Sequence, residues 1–455
     1  MTVSHPDSDE LARFVQGDLP PRENRRIVRS LLAAWRAYRN GFGARRGRGG
    51  ILRKLQEPPP PPALGTGYGA AFERALLQAG DLTRELVGER ERVPRLSARL
   101  DALPLEERRS VLRTDPAFRL WPFCEQLIEE GHRLLHVDLI RAEERADLAA
   151  ILAEELDPRS YGAPLINDIK ARAWACIGEV LRIFSDLRSA DEAFALAESF
   201  VGEGTGDALE EARILELKAG LRRDQQRTAE AHRLLDEVIA VYRQYRDLHL
   251  VGRGFVAKGR VYGAEHDLEA AVRWLRKGLG LLDPIRERHL ELAARHSLML
   301  YLHESGHHQE AWFLLKASRP EFQEHGGELL GLRLLWLEGK IQQVLGLLDD
   351  AGRALSEARA GFIAQGIGFD AASVSLDLAG LYAAQGRAAE MRRLAGEMLP
   401  IFRSRDLHRE AIAALLVFQQ AVQMEKLTTS LLHEIRSYLQ RARKDHKLRF
   451  EPSTS

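Results

Sequence analysis

The stretch Ala171–Gly202 reads ARAWACIGEVLRIFSDLRSADEAFALAESFVG. Its apolar residues recur at helical spacing on either side of a polar turn, so it reads as two antiparallel helices. Gly178 and Ala190 are small where the two helices cross closely, while Trp174, Leu181 and Phe194 fill the space towards a neighbouring pair. A helix pair of this kind leaves its outer apolar face uncovered, so further copies must stack against it.

Those copies follow downstream, with one residue of slack. The second supplies Leu215, Ala219, Ala231, Leu235 and Val238, and the third Phe255, Gly259, Tyr262, Ala271, Leu275 and Gly278, with Pro284 soon after. The fourth has Leu298, Met299, Leu302, Ala311 and Leu315, with Met299 where a small residue is expected. The fifth has Leu335, Gly339, Ala351, Leu355 and Ala358; the sixth has Leu378, Ala379, Tyr382 and the turn Gly386, with Met391 in place of Ala. A seventh pair, roughly 409–421 and 425–444, keeps the helical period and carries Glu434, Arg436, Arg441, Arg443 and Lys444, which suits a capping pair with a solvated face. The pattern resembles the tetratricopeptide repeat (TPR), in which an aromatic, a Leu-Gly pair and a Tyr on one helix precede Ala and Phe on the next. The expected fold is all-α: a right-handed, TPR-like α-solenoid of antiparallel helix pairs over 157–445, preceded by a small helical N-terminal module.

A solenoid grows in one dimension, which fits a chain of 455 residues, longer than a single compact core usually supports. Charged residues make up 29% of the chain and sum to zero net charge, so no global field points to nucleic acid or membrane. The two cysteines, Cys124 and Cys176, exclude a disulfide framework and suit a reducing cytosol. No apolar run reaches the roughly 18 residues of a membrane span, and the opening MTVSHPDSDE is too polar for a signal peptide, so a cytoplasmic location is expected.

Residues 1–39 read as a small helical module. Ser8 caps a helix with Leu11, Phe14 and Val15 on its apolar face, and Pro20-Pro21 opens a second with Ile27, Val28, Leu31, Leu32 and Trp35. The run His5, Asp9-Glu10-Leu11-Ala12-Arg13-Phe14 and Gly17-Asp18-Leu19 resembles the zinc-binding N-terminal domain of bacterial anti-sigma factors. That resemblance implies a place in bacterial transcriptional or stress signalling. Ser30, Trp35 and Tyr38 stand where that family has a His and two Cys, so no zinc and no other cofactor is expected. Residues 40–67 form a linker, Gly/Arg-rich and then polyproline (Pro58–Pro62). The basic segment Arg22–Lys54, with Glu23 as its only acid, offers nucleic acid as an alternative partner. Residues 68–156 read as a helical region before the repeats, in which Phe123, Leu127 and Ile128 face Leu134, Leu135, Leu139 and an Ala146–Ala149 stripe. Cys124 is then a core residue, Asp157-Pro158 ends the last helix, and 446–455 read as a disordered tail.

One string has a catalytic look: His303-Glu304-Ser305-Gly306-His307. HExxH on a continuous helix holds zinc, but here it falls on the turn of the fourth pair, so its histidines would not share a helical face. Gly202-Glu203-Gly204-Thr205-Gly206 lacks a lysine partner for phosphate and reads as a connection between helix pairs. No catalytic residue and no metal ligand is assigned, and no enzyme activity is expected.

In the TPR family the first helix of each pair lines a concave groove with its second, fifth, ninth and twelfth residues. Carried onto this chain, the resemblance places Arg172, Arg213, Arg253 and Arg333 at the second position, Arg260 and Lys340 at the ninth, and Arg182 and Arg223 at the twelfth, with Trp336 among them. Glu179 and Glu216 are acidic exceptions, and Ala293 and Ser373 break the row in the fourth and sixth copies. A row of guanidinium forks suits carboxylates, hence an acidic protein or peptide partner. The same row also fits a solvated face in an arginine-rich protein.

Overall fold

The computed structural model describes residues 88–442, with breaks at 136–137, 185, 366, 404–415, 417, 420 and 423–428. The N-terminal module, the basic segment, the linker and the tail lie outside the described residues, as does most of the first helix of the seventh pair. The described residues are helices and turns, without a strand. They form two compact units: 140–178 and 192–214 join the residues before 133 in the first, and 133–139 and 179–191 join the residues from 215 onward in the second.

In the first unit, a helix over 88–101 precedes α1 (Leu105–Thr114), α2 (Trp121–Leu134), α3 (Leu139–Glu155) and the body of α4 (Ala163–Ile183). Phe118, Phe123, Leu127, Ala146, Ala149 and Leu152 are buried among them, and so is Cys124, whose Sγ donates to the Ala149 carbonyl at 3.3 Å. Asp157 caps a single turn, Pro158–Tyr161, by accepting the Arg159 N–H at 2.9 Å, so α3 stops where the Asp-Pro pair requires. In α5 (Leu187–Gly202) the Phe194 ring lies under Gly178 of α4, close enough that a methyl at 178 would meet its Cε2 at 2.8 Å. The Gly-rich run after α5 is held by Asp168, which accepts the Thr205 N–H at 3.1 Å and its hydroxyl at 2.5 Å.

The second unit stacks helix pairs as a TPR-like α-solenoid. They are α6 (Ala208–Asp224), from residue 215 onward, with α7 (Thr228–Gln244), α8 (Leu248–Ala264) with α9 (Leu268–Leu279), and α10 (Arg288–Glu304) with α11 (His308–His325). Then come α12 (Gly327–Val344) with α13 (Leu348–Ala364), α14 (Gly368–Ala384) with α15 (Ala388–Arg403), and finally α16 (Thr429–Ala442). Each pair turns on one left-handed residue: Gln226, His266, Gly306, Gly346 and Gly386, at φ 61, 63, 87, 80 and 67°. These are spaced by 40 residues, six more than the roughly 34 of the TPR consensus. The added length lies in helices of about 17 residues. At every turn the left-handed residue and the one after it donate back to the ending helix, as in Gln226 N–H to Arg223 O at 3.0 Å and Arg227 N–H to Arg222 O at 2.8 Å. That is the Schellman arrangement, which satisfies the last carbonyls of the helix.

The crossing position repeats with the turns: Gly259 of α8 lies on Leu275 and the Ala271 carbonyl, and Gly339 of α12 on Leu355 and the Ala351 carbonyl. Ala231, Ala271, Ala311, Ala351, Leu235, Leu275, Leu315 and Leu355 have no exposed surface. Glycine at 259 and 339 thus lets α8 meet α9, and α12 meet α13, at close range. Met299, at the same position in α10, is wholly buried.

A candidate cationic groove

The second unit contains a cavity of about 1110 Å³. Arg223 at the end of α6, Arg260 and Gly263 on α8, His296, Leu300, Tyr301 and Glu304 on α10, and Arg333, Trp336 and Lys340 on α12 line it. First helices of successive pairs therefore supply its wall, as the repeat register requires. Leu329, Leu330 and Leu337 make part of that wall apolar, and Gln226 and His266 reach it from two of the left-handed turns. At those turns the later copies carry glycine. A non-glycine residue in this conformation costs roughly 1–2 kcal/mol, and such strain gathers where a side chain serves a site.

The cations of the expected row separate into two sets. Arg172 lies in the first unit, paired with Glu125 at 3.0 Å and Glu210 at 3.9 Å. Arg213, in the same unit, is half-buried and with Arg172 opposes the burial that raises the Glu210 carboxyl. Arg182 pairs with Glu179 at 2.6 Å and also with Asp224, and Arg253, only 9% exposed, bridges Glu216 at 3.2 Å and Glu287 at 2.6 Å. These arginines hold the fold together. Arg223, Arg260, Arg333, Trp336 and Lys340 share the cavity. Arg223 is neutralised by Asp224 at 2.8 Å, and Arg333 faces Asp370 at 3.5 Å. The Trp336 indole donates to Asp377 at 2.6 Å and meets the Phe362 ring edge to face at 6.1 Å. Arg260 and Lys340 have no hydrogen-bond or ion-pair partner among the described residues.

Burial, then the guanidinium of Arg223, pushes Arg260 down to about 10, so it stays charged at neutral pH. His296 is pushed down to about 4, by burial first and by Arg333, Arg260 and Lys340 beside it. It is therefore neutral, and its Nε2 donates to the Arg333 carbonyl at 3.3 Å. Burial raises the Glu304 carboxyl against the pull of Lys340, and raises the Tyr301 phenol as well. His296, Tyr301 and Glu304 are the site residues that the sequence reading passed over. His296 occupies the fifth position of the fourth copy, the same rule that picked out Trp336, and was reachable by continuing the register past Ala293.

The HExxH string breaks at the turn. Helix α10 ends at Glu304, Gly306 is left-handed, His303 Nδ1 lies 3.2 Å from His308 Nδ1, and His307 Nδ1 lies 3.1 Å from the Ser305 hydroxyl. Among the described residues no cluster of three or more His, Cys, Asp or Glu is placed to hold a metal ion. None of their helices is long and apolar enough to cross a membrane.

No family model and no curated protein matches the chain. Among solved structures it is similar to a Signal Transduction ATPase with Numerous Domains (STAND) protein with a tetratricopeptide repeat sensor, from Pyrococcus horikoshii. The two are 14% identical with a TM-score of 0.52, over 77% of this chain and 52% of that one. The chain thus spans about half the length of that protein. A Rap protein complexed with Competence and Sporulation Factor is also similar, at 14% identity and a TM-score of 0.43, over 69% of this chain and 99% of that one. At such identity the likeness is one of fold: an all-α, TPR-like helical repeat.

Proposed function

We propose that the groove of the second unit binds a carboxylate-bearing peptide or protein segment, and that the chain is a non-enzymatic adaptor or regulator. The observation that carries this reading is the pair Arg260 and Lys340. Both are cations without hydrogen-bond or ion-pair partners among the described residues, in one cavity with an apolar and aromatic wall, in a protein that pairs most of its other groove arginines internally. A segment with acidic residues beside apolar ones complements such a surface in charge and in shape. The stress-signalling context implied by residues 1–39 is part of this proposal, and the groove chemistry is independent of it.

Screening a random displayed-peptide library against the full chain tests the reading. Enriched peptides are expected to combine Asp or Glu with apolar residues, to bind more weakly as salt rises, and to lose about tenfold in affinity, or about 1.4 kcal/mol, to Lys340→Glu. Absence of enrichment, or enriched peptides indifferent to Lys340→Glu, would overturn it.

A further inference from the structure

The second helices of the stacked pairs turn their outer faces away from the groove, and no described residue of α7, α9, α11, α13 or α15 lines the cavity. On that outer face the repeat register supplies its own control. Seven residues past the successive left-handed turns stand Arg233, Arg273, Phe313, Arg353 and Arg393, all exposed. The row is arginine with one interruption, Phe313, whose ring on α11 is 77% exposed. Ten and eleven residues past the turns, α7 has Asp236 and Glu237, α13 has Ser356 and Glu357, and α15 has Gly396 and Glu397. At the same two positions α9 carries Arg276 and Lys277, and α11 carries Lys316 and Ala317. Of these five helices only α9 and α11 thus exchange acid for base, around the one exposed aromatic.

The two helices make one surface. Arg276 of α9 pairs with Glu310 of α11, which is three residues before Phe313 and so on its face. Lys277 lies over the Trp274 ring at 5.0 Å and Lys316 over the Trp312 ring at 4.5 Å. Neither ammonium group has a carboxylate partner among the described residues. Arg273 and Arg276 have exposed partners, Glu269 at 3.8 Å and Glu310, and such pairs open at little cost. Four cations therefore surround one open ring, against two carboxylates. A polyanion with flat apolar groups complements this surface, its phosphates meeting the cations and a base lying on Phe313. A membrane or an apolar protein groove would call for a contiguous apolar patch, whereas the exposed neighbours of Phe313 on α11 are Gln309, Glu310, Lys316 and Ala317. A duplex keeps the faces of its bases stacked inside, so the fit is to a single strand.

We propose that the outer face of α9 and α11 binds single-stranded nucleic acid, with Arg273, Arg276, Lys277 and Lys316 on phosphates and a base stacked on Phe313. The proposal is independent of the groove. Fluorescence anisotropy of the full chain with labelled uridine and thymidine dodecamers tests it. At least one is expected to bind, with the logarithm of affinity falling against that of salt concentration with a slope of about −2 to −3, as four phosphate contacts on a single strand require. Lys277→Glu combined with Lys316→Glu is expected to weaken binding by about tenfold or more and to flatten that slope. Phe313→Ala is expected to cost about tenfold at an unchanged slope, and Phe313→Tyr to keep the affinity. All these side chains are exposed, so helical circular dichroism should stay as in wild type. No binding, or binding indifferent to the lysine pair and to Phe313→Ala, would overturn the proposal. Loss on Arg45→Glu with Arg46→Glu while the outer-face variants bind normally would put the contact in residues 22–54 instead. Loss on Lys340→Glu would put it in the groove, and either result overturns the outer face. Polyglutamate or phosphatidylserine vesicles competing as well as the unlabelled oligonucleotide would overturn it in favour of an acidic protein or a membrane. A duplex binding as tightly as the single strand would overturn the stacking on Phe313.

Discussion

Arg253 and Arg260 stand two turns apart on α8, and the regions around them are opposites. Around Arg253, Glu216 and Glu287 close on the guanidinium from flanking segments, and Tyr242 donates to Glu216 at 2.8 Å. Around Arg260 there are a cavity, a second arginine and, among the described residues, a phenol without a hydrogen bond and no carboxylate in contact. The same residue type at two positions of one register therefore does two jobs. One arginine is a brace between helix pairs. The other is a charge that the fold leaves uncompensated.

The largest effect expected from this contrast is on the brace. Arg253→Ala removes the countercharge of Glu216, itself only 11% exposed and then left with the Tyr242 hydroxyl. Removing one member of a buried pair costs about 3–5 kcal/mol. Chemical unfolding of the second unit should show a loss of that size. A loss under about 1 kcal/mol, the range of an exposed pair, would put Arg253 back among groove-facing charges.

Next in size is the crossing at Gly259, six residues from Arg253 and adjacent to Arg260. In Gly259→Ala the new methyl meets Leu275 Cγ at 2.9 Å and the Ala271 carbonyl at 3.1 Å, and the backbone oxygen has little room to yield. Overpacking of this kind costs about 1–3 kcal/mol, which a shift in the denaturant midpoint at constant m would report. The buried methionine at 299 shows that the repeat accepts a larger residue at this position in another copy. A neutral Gly259→Ala would mean that α8 and α9 can part in the same way.

The sequence made the repeat legible and the groove partly so. Small residues at 178, 219, 259, 339 and 379, and Ala at 190, 231, 271, 311 and 351, mark helix crossings that depend on residues close in the chain. Arg260, Arg333, Trp336 and Lys340 followed from that register. The pairing of Arg172, Arg182 and Arg253 did not, because Glu125, Asp224 and Glu287 lie 34 to 47 residues away and outside the groove register, and because the register that holds Glu216 does not say that it meets Arg253. The length of the repeat was legible too, since Ala219, Gly259, Met299, Gly339 and Ala379 stand 40 residues apart. Tyr301 was hidden for a different reason. It reaches the groove through the space left by Gly263, a residue of another helix.

A smaller effect follows from the cations around His296, which faces Arg333, Arg260 and Lys340. Its unfolded pKa is near 6.5 and its folded value about 4, so between those values the unfolded chain binds a proton that the folded one refuses. Stability should fall as pH drops from about 6.5 to 4, by roughly 1–2 kcal/mol after allowance for partial solvation. His303, also pushed down to about 4, adds to the slope, while the raised Glu304 opposes it in the acidic part of the window. His296→Gln keeps a donor for the Arg333 carbonyl and should flatten the slope without abolishing it. An unchanged slope would show that His296 is solvated, and with it the cavity wall.

The smallest effect has the opposite sign. Arg260 is desolvated next to a second guanidinium, and no carboxylate in contact offsets that cost in the free protein. Arg260→Gln removes the charge, keeps a side chain of similar reach, and should raise the midpoint of unfolding by about 0.5–1 kcal/mol. The variant that weakens the groove for carboxylates would then be the more stable protein, the reverse of Arg253→Ala on the same helix. Saturating the wild type with a carboxylate peptide should recover the same stabilisation by supplying the missing partner, and should do nothing for Arg260→Gln. If Arg260→Gln instead loses stability, Arg260 is a second brace whose partner forms in solution, and the contrast between the two arginines disappears.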